Sequence, residues 1–124
     1  MRFKLQFTAA TQLTSPAETV CPGDSVIFSC TTSGTGQLIW KVNDLTAGVF
    51  NSPSDDVDAT SEILQGVTAT LTAEDETVLT LSSSLRISSA GVDVENGAQI
   101  SCSDDSITGS IETTELFVTC EFAS

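Results

Sequence analysis

Cys30 and Cys102 each close a short run in which buried-type and polar residues alternate. Val26, Phe28 and Cys30 share one parity against Ile27 and Ser29, and Ala98, Ile100 and Cys102 share one parity against Gln99 and Ser101. Period-two alternation marks a strand with one buried face, so both sulfurs point inward. The chain has 4 Cys and no His. A zinc site needs paired Cys-x-x-Cys knuckles or His, so metal is the weaker reading and two disulfides the stronger. Three pairings of four cysteines are formally possible, and parity selects Cys30 with Cys102, a bridge from one sheet to another through the core. Closing about 72 residues, it adds on the order of 4 kcal/mol by the chain-entropy argument. Trp40, ten residues after Cys30 and of the same parity, is placed to pack on the sulfurs.

The rest of the chain carries the same period. Leu38, Trp40 and Val42 alternate with Ile39 and Lys41. Ile63, Val67, Ala69 and Leu71 form an inward row, as do Leu79, Leu81, Leu85 and Ile87 around Thr80, Ser82, Ser84 and Arg86, with Ala73 to Glu76 as the turn of an antiparallel hairpin. The turn pair Asn96-Gly97 leads into the row ending at Cys102, and Leu116, Val118 and Cys120 form the last row. No window repeats with a 3.6 period. With 124 residues the chain suits one domain, an all-β antiparallel sandwich or barrel, and the core-crossing bridge favours the sandwich.

Charge and composition narrow the function. A net charge of −13 repels phosphate backbones and anionic lipid, so no nucleic acid is expected as a partner. No apolar run approaches the roughly 18 residues of a spanning helix, so this segment is not expected to insert into a membrane. Without His, and with Lys4 and Lys41 as the candidate basic partners, an activated Ser or Thr has almost no base, and the chain is not read as an enzyme. The acidic groups around Asp55, Glu74 and Asp104 lack the spacing of a calcium loop and read as solvated turns, so neither metal nor cofactor is expected. Phe3, Leu5 and Phe7 alternate with Arg2, Lys4 and Gln6, which reads as an upstream remnant or linker over 1–10 in preference to a degraded export signal, ahead of a domain over 11–124.

Taken together, Val26-Ile27-Phe28-Ser29-Cys30, Leu38-Ile39-Trp40, Leu85-Arg86-Ile87 and Asn96-Gly97-Ala98-Gln99-Ile100-Ser101-Cys102 resemble the immunoglobulin-like domains, over about residues 13 to 120. The resemblance implies a variable-type layout: a Greek-key sandwich of two sheets and about eight to nine strands. Three positions depart from the family pattern. Ile100 stands where a Tyr usually forms the tyrosine corner, Asn96 stands where Asp is frequent, and Gly109 alone remains of a Gly-x-Gly bulge, so antibody-like pairing is not expected. In such a layout the first strand crosses to run beside the last, which implies a second bridge from Cys21 to Cys120. The Cys-Pro-Gly-Asp entry and the Leu-Ile-Trp-Lys-Val-Asn strand look similar to modules of large invertebrate cell-surface receptors. Extra bridges suit an oxidising exterior, so the expected location is extracellular or at the cell surface.

The resemblance also implies a binding role and where to seek it. Such sandwiches recognise partners through loops at one end or through an exposed sheet face. The segment Thr31 to Gln37 reads as a small polar loop with Gly34 and Gln37 as candidate contacts, and Ser103 to Gly109 as another, presenting Asp104 and Asp105. On the sheet side Ile39, Lys41, Gln99, Ser101 and Phe117 are expected to project outward, with Ile39 and Phe117 seeding an apolar patch. Two readings follow. The chain is a recognition or adhesion module of a receptor, binding a protein partner or another copy of itself, or it is a structural spacer in a tandem array with no ligand of its own.

Overall fold

The computed structural model describes residues 10–16, 20–52, 54–104 and 111–119. Among the described residues there are nine strands: β1 (Ala10–Thr14), β2 (Val26–Ser33), β3 (Gln37–Val42), β4 (Leu45–Asn51), β5 (Thr60–Leu64), β6 (Val67–Asp75), β7 (Thr80–Ile87), β8 (Gln99–Ser103) and β9 (Ile111–Glu115). They form two antiparallel sheets, one ordered β1-β2-β7-β6-β5 and the other β4-β3-β8-β9. The chain changes sheet between β2 and β3, between β4 and β5, and between β7 and β8, giving the interleaved connectivity of a Greek key. The expected sandwich is therefore the observed one.

Alternation builds the core as the sequence requires. Val26, Phe28 and Cys30 are buried on β2, Leu38, Trp40 and Val42 on β3, Leu81, Leu85 and Ile87 on β7, and Ala98, Ile100 and Cys102 along β8 and its approach. Fully burying a side chain of the size of Phe28 or Leu85 is worth about 1.5–3 kcal/mol over leaving it in water. Cys30 and Cys102 are joined, with Cα atoms 6.5 Å apart. Across the ladders Cys30 is opposite Ser83 and Cys102 is opposite Trp40. The Trp40 indole therefore stands beside the Cys102 sulfur on the inner face, and its Nε1–H donates to Ser83 Oγ at 2.9 Å. Ser83 Oγ–H in turn donates to the Thr70 carbonyl at 2.7 Å. One rung of each sheet is thus tied to the other twice, by sulfur and by hydrogen bond.

Several local expectations are corrected. Ile63 is 57% exposed, because it lies on the separate edge strand β5 and not in the row of Val67, Ala69 and Leu71. Ala73, Glu74 and Asp75 are strand, since the register shifts past Thr72 and pairing continues to Asp75 opposite Thr80. The turn is Glu76 to Leu79, and Leu79 adopts φ 53° there and is 37% exposed. Strands β4 and β5 have no counterpart among the runs that alternation marks. Among the described residues the last strand is Ile111–Glu115, upstream of the row starting at Leu116, although Leu116 N–H still donates to the Ala98 carbonyl at 2.9 Å.

The first strand, β1, pairs with β2 in the five-stranded sheet and not with β9, and only the chain after it reaches the last segment. Beyond β1, the Ser15 and Thr114 hydroxyls share a hydrogen bond at 2.8 Å, and Thr119 N–H donates to the Val20 carbonyl at 3.1 Å. Cys21 is disulfide-bonded, and its expected partner Cys120 lies outside the described residues. The Cys-Pro-Gly-Asp entry is a closed turn: Asp24 N–H donates to the Cys21 carbonyl at 3.0 Å and Asp24 Oδ2 accepts from Cys21 N–H at 2.9 Å.

Candidate functional site

The outer face of the four-stranded sheet carries a groove of about 530 Å³. One ladder row of three residues crosses its floor. Lys41 is opposite Ser101, and Ser101 is opposite Thr113, so an ammonium and two hydroxyls stand in one row across β3, β8 and β9. Ile111 bounds one end, 63% exposed. At the other end Asn43 and Asp44 form the two-residue connection between β3 and β4, with φ 52° and 68°. Positive φ at both central residues is the geometry of the type I′ hairpin turn, which Asn and Asp tolerate through their short polar side chains. Asn43 N–H donates to the Gln99 carbonyl at 2.8 Å, and its side-chain oxygen accepts from Gln99 N–H at 2.9 Å. The turn is thereby fixed against β8, and the Gln99 amide side chain faces the groove.

Lys41 is half-buried and, like Arg86, makes no ion pair among the described residues. Arg86 uses its Nε–H to reach Ser25 Oγ at 2.9 Å. In a chain with 4 Lys and Arg against 17 Asp and Glu, an ammonium standing in a groove is a distinct electrostatic feature. Asp44 lines the same groove, so it carries one charge of each sign beside hydroxyl and amide groups. That set offers hydrogen-bonding groups beside charges of both signs.

The residues expected to make contacts divide three ways. Lys41, Gln99 and Ser101, expected only to project outward, lie together along the groove. Phe117 is outward and 57% exposed, but it lies six residues beyond Ile111, roughly 20 Å along extended chain. Ile39 is instead 6% exposed. Its rung runs from Val49 through Ile39 and Ser103 to Ile111, so Ile39 and Phe117 sit at opposite ends of the sheet and share no patch. Parity assigned Ile39 to the outer face correctly. Its exposure depends on what lies over that face, which periodicity does not encode.

The loop expectations change more. Thr31, Thr32 and Ser33 are strand, and the connection shrinks to Gly34, Thr35 and Gly36, whose glycines have φ of 100° and 73°. Gly34 is exposed; Gln37 is half-buried and donates from Nε2 to Asn51 Oδ1 at 3.0 Å. Asp104 is fully buried, not presented to solvent, and its carbonyl accepts from the Thr35 hydroxyl. Asp105 lies outside the described residues. Sequence reasoning did not find Asn43, Asp44, Ile111 or Thr113 as groove residues. The pair Asn43-Asp44 after an alternating run was the available signal for a tight hairpin. No protein-family model matches the chain, and no curated protein matches it.

Proposed function

We propose that this chain is an immunoglobulin-like recognition module displayed outside the cell, binding a protein partner through the outer face of its four-stranded sheet. The carrying observation is the groove that gathers Lys41, Gln99, Ser101 and Thr113 between the Asn43-Asp44 turn and Ile111. Kinship with the immunoglobulin-like domains is supported by the nine-strand two-sheet layout, the inter-sheet Cys30–Cys102 bond and the buried Trp40 beside it. The extracellular setting is supported by the disulfides. The test is binding of the chain, arrayed on streptavidin beads, to intact cells, with Lys41→Glu and Thr113→Arg carried in parallel. Specific binding that both groove variants abolish while their circular dichroism is unchanged supports the reading. Equal binding by the variants sinks the groove assignment.

One observation favours the spacer reading instead. Ala10 pairs with Ser33 at the end of the sandwich that carries the β2–β3 turn, whereas Thr119 lies beside Val20 at the other end. A domain entered and left at opposite ends extends a tandem array. Absence of any cell binding, together with a strictly monomeric sedimentation profile across a concentration series, supports the spacer over the recognition module.

A further inference from the structure

A second cavity, of about 290 Å³, opens at the base of the sandwich, among the β3–β4 turn, the β5–β6 turn and the segment before β8. Its apolar lining comes from Val42, Leu45, Leu64, Val67 and Val94. Leu45 is 58% exposed and Leu64 half-buried, so the cavity has an apolar mouth as well as an apolar floor. Asp93 and Glu95 line one side, and no cation does. Among the described residues the cations are Lys41, which lines the other groove, and Arg86, which bonds Ser25.

The exposed carboxylate of Asp93 lies against Gly66. A Cβ on Gly66 would fall 2.3 Å from Asp93 Oδ2, so the carboxylate rests directly on the glycine backbone. Gly66 also has φ 78°, which any other residue resists. The segment carrying Asp93 is tied down by Asp93 N–H to the Ser89 carbonyl at 2.9 Å, Gly91 N–H to the Val94 carbonyl at 2.7 Å and Ser88 N–H to the Gly66 carbonyl at 2.9 Å. A hollow whose aliphatic side chains are flanked by the polar Asn43 and Gln65 and by an anionic rim complements one kind of group: an aliphatic side chain with a positive charge close beside it. Anionic lipid is repelled by the rim, and a second copy of this chain is repelled by its own net charge of −13.

We propose that this basal cavity docks a segment of a protein partner in which Leu or Ile adjoins Lys or Arg. The aliphatic group enters between Leu45 and Leu64, and the cation meets Asp93 and Glu95. The inference rests on the fold alone and stands whether or not the outer groove binds anything. The test titrates the ¹⁵N-labelled 124-residue chain with the peptide acetyl-Gly-Leu-Lys-Arg-Gly amide, beside controls with Ser for Leu and with Glu for both cations. Expected are amide shifts at Leu45, Leu64, Gln65 and Val94 with the first peptide only. Asp93→Asn with Glu95→Gln, both at exposed positions, is expected to weaken binding about five-fold at low ionic strength. Gly66→Ala, which displaces Asp93, is expected to weaken it as well. No shifts, equal binding of either control, full affinity in the double variant, or shifts confined to Lys41, Gln99 and Ser101 would each overturn the proposal. So would self-association in sedimentation that the double variant abolishes, since the occupant would then be a second copy.

Discussion

Gly48 on β4 lies close against Ala69 on β6 of the other sheet. A Cβ there would lie 2.7 Å from the Ala69 Cβ across the core and 3.8 Å from Trp40 Cδ1. Gly48→Ala is therefore expected to cost about 1–3 kcal/mol in urea denaturation, as overpacking does. Adding Ala69→Gly to that variant is expected to recover part of the loss; a double variant no better than the single would locate the strain elsewhere. Trp40→Phe removes the Nε1–H donated to Ser83 and part of the indole volume, and is expected to cost about 2 kcal/mol by the same measurement. Parity alone revealed Cys30, Cys102 and Trp40, because each sits in a row of buried neighbours. It could not reveal Ser83, whose role depends on a tryptophan 43 positions away. Nor could it reveal the burial of Ile39 and Asp104, which is set by packing over a face or an end.

At the level of strands, those legible in advance are the ones with an uninterrupted inner row: β2, β3, β7, β8 and the first half of β6. β4 escaped because its register shifts between Gly48 and Thr46, leaving Ala47 as an extra buried residue and breaking the alternation. Edge strands β5 and β9 escaped because few of their side chains are buried, so their pairing is recorded in backbone hydrogen bonds more than in hydropathy. The groove inherits this limit, since two of its residues lie on β9 and two on an unread turn. That turn yields a prediction. Asp44 holds φ 68°, where glycine is unstrained, so Asp44→Gly is expected to stabilise the chain by about 0.5 kcal/mol, read as a higher denaturation midpoint. A lower midpoint would show that the Asp44 side chain contributes more than its backbone strain costs.

Across the whole molecule, charge governs how stability responds to its surroundings. With a net of −13 on 124 residues, self-repulsion opposes the compact state, and the described cations make no ion pairs that salt would weaken. The melting temperature is therefore expected to rise between about 10 mM and 500 mM sodium chloride as the repulsion is screened. A fall would mean that local charge pairs outweigh the global field. The pairing of Trp40 with Ser83 on the same rungs as the two thiols carries a temporal consequence. The Trp40–Ser83 bond needs no oxidant, so the chain before oxidation is expected to bring the rungs bearing Cys30 and Cys102 into register, with the sulfur acting as a latch rather than a guide.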